Sequence, residues 1–345
     1  MIETTVRASG PRDVGIVSDA DFEEWMRPRL MLFLSADVEN STRLKQSPQQ
    51  GRIWLPPIID FIHRFPTRYQ AEREKFAIDH HYSIPERVVP WKLLGDEIIF
   101  AIEISQESQV GQEIVTFLSA LRSWNSPTDG PETQSRGVVV KGTAWLAGFP
   151  VANTLIPVPS VSGELIRDYL GPSMDAGFRL TKWAASRRLI VSPELAWWLL
   201  QHTARSLELP KLHFQGCAEL KGLAEHTGYP QLWMEVDKSP FRTLEDELLG
   251  RAALSQQEKL RELCSAFIEE FGTPRHLPFL ETRRDPAQFP VERSDFAARL
   301  LEAREQMRKF LIVEETPFEG NIPQAQSKKA SQALLKKIKT KTKRK

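Results

Sequence analysis

The first apolar stretch of the chain, residues 29–36, is nearly continuous and is followed at once by Asp37. A short, uninterrupted apolar run predicts a buried strand. Residues 58–65 instead carry apolar side chains at helical spacing, which predicts a helix with one broad apolar face. Residues 67–90 are charged and contain two prolines, so we expect a loop-rich insertion in that region.

The middle of the chain continues this alternation of strand and helix patterns. Residues 91–104 form two β-rich runs around a Gly-Asp dipeptide, which predicts a hairpin. Residues 110–124 have the spacing of an amphipathic helix, and residues 125–137 are rich in Ser, Pro, Thr and Gly, as loops are. Residues 137–145 predict another strand.

Strand patterns stop near residue 240, and helical patterns continue beyond it. The predicted helices cover residues 175–185, 193–202, 254–271 and 295–313, and the predicted strands cover 188–191, 217–221 and 231–236. We therefore expect a mixed α/β (α+β) fold in four regions. These are an N-terminal segment (1–27), the main domain (28–238), a helical appendage (239–316) and a basic, disordered tail (317–345).

Composition excludes several classes of protein. Of the 345 residues, 41% are hydrophobic and 26% charged, as in ordinary globular proteins. No apolar run reaches the roughly 20 residues that span a bilayer, and the first residues lack the apolar core of a secretion signal. The two cysteines, Cys217 and Cys264, are too few for a disulfide framework or a zinc site. We therefore expect a cytoplasmic protein without a transmembrane segment.

The net charge of +1 conceals an uneven distribution along the chain. Residues 328–345 contain nine Lys or Arg and no acid, so the remainder carries about −8. Such a tail is usually solvated and disordered, and the alternative is a contact with an anionic surface or with nucleic acid. The acidic remainder does not predict a nucleic-acid-binding patch on the folded body.

Two acidic residues follow predicted strands at positions where their carboxylates can meet. Asp37 ends the first strand, and Asp96 lies at the tip of the hairpin. Strand ends of an antiparallel sheet converge on one edge, and paired carboxylates with phosphate oxygens are common ligands of Mg²⁺ and Mn²⁺. Aspartate is also a common turn residue, so the pattern alone leaves both interpretations open.

Neighbouring residues add phosphate-binding chemistry to these carboxylates. Ser41 and Thr42 follow Asp37 and supply hydroxyl and backbone donors. Asp175 and Arg179 are spaced i, i+4 and therefore share one helix face. They can form a simple intrahelical ion pair, or Arg179 can meet developing phosphate charge in a transition state.

Taken in order, these motifs resemble the class III nucleotidyl cyclases. The resemblance covers roughly residues 28–238, and it is carried by FLSADVENST around Asp37, by KLLGD at 92–96, and then by Asp168, Gly171, Asp175, Arg179, Val191-Ser192 and Lys221-Gly222. Within that superfamily the sequence is most similar to the pyrimidine cyclases of bacterial Pycsar antiphage systems. One departure is Asp175, where the family usually has Asn; an ionised Asp accepts hydrogen bonds but cannot donate them to ribose.

The resemblance implies a fold, a metal site and an assembly. The fold would be a ferredoxin-like catalytic domain that works as a head-to-tail homodimer with composite sites at the interface. Asp37, Asp96 and the backbone carbonyl of Val38 would hold two Mg²⁺ or Mn²⁺ ions. Arg179, and with it Asp175, would act from the partner subunit.

The resemblance also implies substrate-binding residues. Lys92 and Asp168 would read the base from the partner subunit. A lysine donor with a carboxylate acceptor suits uracil, cytosine and adenine, does not separate them, and argues against guanine. The residues expected near the triphosphate are Ser41, Thr42, Lys141 and Lys221. The implied reaction converts UTP to 3′,5′-cyclic UMP, with CTP or ATP as alternatives. The product would reach a cyclic-nucleotide-responsive effector in antiphage defence.

Two interpretations from other classes compete with this one. A cyclase fold without activity could serve as a binding module, although both metal-binding aspartates are present. A metal-dependent hydrolase would normally use clustered histidines. The seven histidines are scattered except for one adjacent pair: His63, His80, His81, His202, His213, His226 and His276.

Overall fold

A computed structural model describes most of the chain. The described residues are 16–46, 54–83, 85–126, 138–159, 165–202, 207, 209–223, 228–236, 241, 244, 247–248, 255–271, 295–310 and 312–314. Most of the loop predicted at 125–137, and the basic tail predicted at 317–345, lie outside these residues. Within the described ranges, no helix is long and apolar enough to cross a membrane.

The chain divides into two compact units, one of residues 25–307 and one of residues 1–24 with 308–345. In the second unit, strand β1 (Ile16–Ser18) pairs in parallel with strand β11 (Ile312–Glu314). Helix α1 (Asp19–Trp25) follows β1. This division differs from the four predicted regions, whose boundaries stay predictions.

The larger unit is built on a seven-stranded sheet. Its strands are β2 (Arg29–Val38), β3 (Pro90–Leu94), β4 (Glu97–Ile104), β5 (Val140–Phe149), β8 (Arg188–Val191), β9 (Leu212–Ala218) and β10 (Tyr229–Glu235). They lie in the order β3-β4-β2-β5-β8-β10-β9, and only β5 and β8 pair in parallel.

The first half of this sheet has a ferredoxin-like arrangement. Helix α3 (Leu55–Asp79) connects β2 to the β3–β4 hairpin, and helix α4 (Glu107–Asn125) connects that hairpin to β5. The resulting β-α-β-β-α-β unit has the strand order β5-β2-β4-β3. The predicted α+β class and the predicted hairpin are therefore confirmed.

Helix α3 corrects the prediction of a loop-rich insertion at residues 67–90. The helix continues to Asp79, with Pro66 in its interior. A proline inside a helix costs about 3 kcal/mol, but Phe65 and Tyr69 on either side of it are fully buried. Burial of two large aromatic side chains offsets that cost. Among the described residues of this region, regular structure is absent from 80–83 and 85–89.

One face of the sheet packs against helices and carries most of the core. Alternate β2 residues such as Leu32 and Leu34 share a cluster with Phe117 of α4 and with Trp198 of helix α6 (Pro193–His202). Helix α7 (Ser255–Glu270) adds Leu260, Cys264 and Ile268 to the same cluster. This part of the predicted appendage therefore belongs to the main core. The last helix, α8, is Phe296–Phe310.

The other face of the sheet carries an aromatic cluster. Phe33 of β2 stacks on Trp145 of β5, with ring centroids 5.4 Å apart. Helix α5 (Pro172–Leu180) packs directly on the Trp145 ring. The contact is so close that a Cβ atom at Gly177 would collide with the ring, so this position requires glycine. The sequence predicted this helix at 175–185, where the structure has a 3₁₀ turn (Thr181–Trp183) after Leu180.

The sequence analysis missed a second hairpin. Strands β6 (Thr154–Pro159) and β7 (Leu165–Leu170) pair antiparallel between β5 and α5. Two prolines within β6 concealed its strand pattern. The strand predicted at 217–221 lies earlier, at Leu212–Ala218, and ends before the turn at Gly222.

Candidate active site

Asp37 and Asp96 meet at one end of the sheet. Asp37 lies beside Glu97 of β4 and beside Lys141 of β5. Asp96 precedes Glu97 in the hairpin turn, where Gly95 has a φ of 69° that suits glycine. The expected convergence of the two carboxylates is therefore observed, while their catalytic role stays a prediction.

The environment of Asp37 disfavours its negative charge. Burial raises the pKa of Asp37, and the nearby charge of Asp96 raises it further. The Lys141 ammonium, 3.2 Å from the Asp37 carboxylate, opposes this shift and lowers the pKa in part. A cation between the two carboxylates would relieve the same repulsion.

Asp96 has one partnered oxygen and one without a partner. Lys45, on helix α2 (Ser41–Gln46), places its Nζ 2.6 Å from Asp96 Oδ1. Asp96 Oδ2 is buried and has no hydrogen-bond partner. A buried carboxylate oxygen without a partner costs free energy that a bound cation recovers. This orphaned oxygen therefore fits a divalent metal with oxygen ligands.

The candidate metal ligands include two side chains, Asp37 and Asp96. Among the described residues, no group of three or more His, Cys, Asp or Glu has the arrangement of a metal site. Asp37 and Asp96 would therefore need the Val38 carbonyl, water or substrate oxygens to complete the coordination of Mg²⁺ or Mn²⁺.

Two further residues belong to this end of the sheet and were missed. Glu97 accepts a 2.5 Å hydrogen bond from the Ser35 hydroxyl. Burial raises the pKa of Glu97, and the charges of Asp37 and Asp96 add to the shift. Glu97 could have been found from its position next to Asp96. The contact of Lys45 has no sequence signal, because it depends on how α2 folds across the hairpin tip.

Lys92 and Asp168, the predicted base-reading residues, lie together. Lys92 Nζ is 2.9 Å from both carboxylate oxygens of Asp168, across strands β3 and β7. Their neighbours hold the two strands at this spacing: the Trp91 indole N–H donates to the Arg167 carbonyl at 3.0 Å, and Trp91 contacts Tyr169 edge to face. The missed hairpin is thus the element that positions Asp168.

Arg179 and Lys221 form a third group. The Arg179 guanidinium donates to the Lys221 carbonyl, and the turn after Lys221 has Gly222 at φ 74°. Asp175 and Arg179 are both exposed. No salt bridge joins Asp175 to Arg179 in the part of the chain that the structure describes.

The remaining predicted residues lie on α2 and on β5. Ser41 and Thr42 begin helix α2, and Thr42 is exposed. Lys141 is already paired with Asp37. Arg179 makes its hydrogen bond to Lys221 rather than to Asp37 or Asp96. The structure thus separates a carboxylate end, a base-reading pair and an arginine group.

Another cleft lies away from these residues. It has a volume of about 700 Å³ and is bounded by the end of α3, residues 82–83 and 85–89, the edge of β4 and the start of α4. None of the predicted site residues lines it.

Comparison with known proteins gives structural likenesses only. No family model matches the chain, and no curated protein matches it. The catalytic core of a rhodopsin-guanylyl cyclase with converted specificity, in complex with ATPαS, is 11% identical with a TM-score of 0.40, over 60% of this chain and 96% of that one.

Two other solved structures resemble the fold to the same degree. The guanylate cyclase domain of RhGC from Catenaria anguillulae, in complex with GTP, is 9% identical with a TM-score of 0.42, over 62% of this chain and all of that one. The adenylyl cyclase CyaB from P. aeruginosa is 11% identical with a TM-score of 0.41, over 62% of this chain and 97% of that one. Likenesses of this size carry no argument about activity.

Proposed function

We propose that this chain is a nucleotidyl cyclase, which converts a nucleoside triphosphate to a 3′,5′-cyclic nucleotide and pyrophosphate. The observation that carries the proposal is the carboxylate pair Asp37 and Asp96. Asp37 lies near the end of β2 and Asp96 in the turn that precedes the adjacent strand β4, and Asp96 Oδ2 is buried without a partner. The order of the sequence motifs supports the same reaction.

In this reaction the ribose 3′-oxygen forms a bond to the α-phosphorus. The bond from the α-phosphorus to the bridging oxygen breaks, pyrophosphate leaves, and the hydroxyl proton is released. Mg²⁺ or Mn²⁺ ions held by Asp37, Asp96 and the Val38 carbonyl would activate the hydroxyl and neutralise the α-phosphate. Ser41 and Thr42, at the start of α2, would donate hydrogen bonds to the triphosphate.

The proposed active form is a homodimer with sites shared between subunits. Arg179 is exposed and bonded to the Lys221 carbonyl, and its described hydrogen bonds and salt bridges do not include Asp37 or Asp96. A second copy in head-to-tail orientation would bring Arg179 and Lys221 to the leaving pyrophosphate, where their positive charges offset the developing negative charge.

The proposed substrate is a pyrimidine triphosphate, with UTP ahead of CTP. The Lys92–Asp168 pair offers one donor and one acceptor at 2.9 Å from each other. Uracil matches them with a carbonyl oxygen next to an N–H. Cytosine and adenine also offer an acceptor beside an amino group. Guanine, against which the pair was expected to argue, offers a carbonyl beside an N–H as well, so the pair alone does not exclude it. The preference for a pyrimidine rests on the family resemblance.

The same resemblance gives the proposed biological setting. The enzyme would act in the cytoplasm during antiphage defence, and its cyclic product would be the signal to a cyclic-nucleotide-responsive effector.

A second candidate is a cyclase-fold binding module without activity. The observation that favours it is the occupation of both carboxylates by lysines, Lys141 on Asp37 and Lys45 on Asp96. In that case the ion pairs would be permanent structural contacts.

One experiment separates these proposals. The wild-type protein and the Asp37→Ala and Asp96→Ala variants are each incubated with one of the four triphosphates and Mn²⁺, and products are identified by mass spectrometry. We expect cyclic UMP from the wild type, with turnover reduced at least about a thousandfold in both variants. Cyclic AMP as the main product would reject the pyrimidine substrate alone, and no cyclic product would favour the binding module.

A further inference from the structure

Each carboxylate of the candidate site is bound to a lysine from a different element. Lys45 of α2 lies 2.6 Å from Asp96, and Lys141 of β5 lies 3.2 Å from Asp37. The site therefore carries two ammonium groups against the two carboxylates proposed to hold metal.

An ammonium and a divalent cation compete for the negative charge of one carboxylate. The Lys45 side chain is 34% exposed and that of Asp96 is 13% exposed, so the pair is only partly screened by water. A metal ion on the unpartnered Asp96 Oδ2 would share the carboxylate with the Lys45 ammonium on Oδ1, and the two cations would repel each other. Metal binding at Asp96 therefore favours the departure of Lys45.

The position of Lys45 on α2 decides where its ammonium can go. Ser41 and Lys45 are spaced i, i+4, and Thr42 and Lys45 are spaced i, i+3. On a helix both spacings place side chains on neighbouring parts of one face. A Lys45 ammonium released from Asp96 stays beside the hydroxyls proposed to contact the triphosphate.

We propose that Lys45 is an exchangeable counter-ion, which neutralises Asp96 before metal binds and then moves to the triphosphate. This inference rests on the proposed function, because it requires metal and nucleotide at this site. Lys45 thereby links the two binding events: it opposes metal binding in the absence of nucleotide and favours nucleotide binding once metal is present. Lys141 holds the equivalent position on Asp37.

The first measurement is Mn²⁺ binding without nucleotide, by calorimetry or electron paramagnetic resonance. Lys45→Met removes the charge but keeps a side chain of similar length, and we expect it to bind Mn²⁺ about tenfold more tightly than the wild type. Lys75→Met removes an exposed lysine from α3, and we expect no change. Asp96→Asn should bind weakly, which locates the metal.

The second measurement is the binding of a non-hydrolysable UTP analogue in the presence of Mn²⁺. Lys45→Met should bind the analogue about tenfold more weakly, because a charge-assisted contact to phosphate is lost. The two effects therefore have opposite signs. Lys45→Arg keeps the charge and should restore both affinities toward wild type. A purely structural role for Lys45 would weaken both.

The outcomes distinguish this inference from the proposed function. Asp96-dependent Mn²⁺ binding that is equal in wild type and Lys45→Met would overturn the counter-ion role and leave the metal site intact. Weaker Mn²⁺ binding in Lys45→Met would overturn it too. If no protein binds Mn²⁺ with or without the UTP analogue, both the inference and the metal-dependent reaction are rejected.

Discussion

Two groups of charged residues in this molecule differ in how completely their charges are satisfied. Between α3 and α4, Arg73 makes a bidentate pair with Glu113, with N–O distances of 2.8 and 2.7 Å. Tyr69 donates to the same carboxylate at 2.6 Å, and Arg73 also donates to the Glu86 carbonyl. Both charged side chains are almost fully buried, at 5% and 6% exposure.

The carboxylate end of the sheet lacks this completeness. Asp37 and Asp96 repel each other, their lysine partners are partly exposed, and one Asp96 oxygen has no partner. A buried ion pair with every group bonded is an arrangement that stabilises a particular packing. Carboxylates with an unsatisfied oxygen and a repulsive neighbour are typical of a site that binds a cation. The two groups therefore differ in the satisfaction of their hydrogen bonds as well as in the burial of their charges.

The largest expected effect is on the free energy of unfolding, which should depend on the Arg73–Glu113 pair far more than on Asp96. Glu113→Ala leaves the Arg73 charge buried without its partner, and we expect the free energy of unfolding to fall by about 3–5 kcal/mol. Asp96→Asn at the other group should change it by less than about 1 kcal/mol. Urea unfolding followed by circular dichroism measures both variants.

A double variant controls for the loss of volume. Arg73→Leu with Glu113→Leu removes both charges, and it should recover most of the stability lost in Glu113→Ala. Equal losses in Glu113→Ala and Asp96→Asn would contradict the distinction between the two groups.

The sequence predicted the carboxylate end well because its information is local. A strand that ends in Asp37 and a hairpin turn at Asp96 are both short-range patterns, and sheet geometry then brings them together. Lys45 could not be predicted, because its contact joins residues 51 positions apart through the orientation of α2.

The same limit applies to the fold. The length of α3 was underestimated, because the buried packing of Tyr69 and Arg73 against α4 outweighs the local signals of charge and proline. The β6–β7 hairpin was not predicted, because the prolines of β6 are unusual in a strand. Packing of Phe33 and Phe149 around Tyr169 of β7 stabilises the hairpin. In both cases long-range contacts decided the outcome.

An effect of intermediate size concerns catalytic activity, and it tests whether the Asp96 carboxylate belongs to a site that two subunits share. Asp96→Ala and Arg179→Ala should each be inactive alone, because each removes one part of the proposed site. Mixed in equal amounts, they should regain about a quarter of the wild-type activity, since half of the dimers are then mixed and each mixed dimer has one complete site. Light scattering confirms the dimers. No recovery in confirmed dimers would reject sites shared between subunits.

The smallest expected effect concerns Cys264, a buried thiol of the main core. Burial raises the pKa of Cys264 on α7 to about 12, and the charge of Glu194 adds to the shift. An unfolded thiol ionises near its ordinary value of 9, so between pH 9 and 12 the folded chain holds a proton that the unfolded chain has lost. This contribution to stability is complete below pH 9 and declines as the pH rises.

From pH 9 to 10.5 the free energy of unfolding of the wild type should therefore fall by about 1–2 kcal/mol relative to that of Cys264→Ala, measured by urea unfolding at each pH. Parallel curves for the two proteins would mean that α7 does not bury this thiol in the main core, and that the predicted appendage stands apart from it.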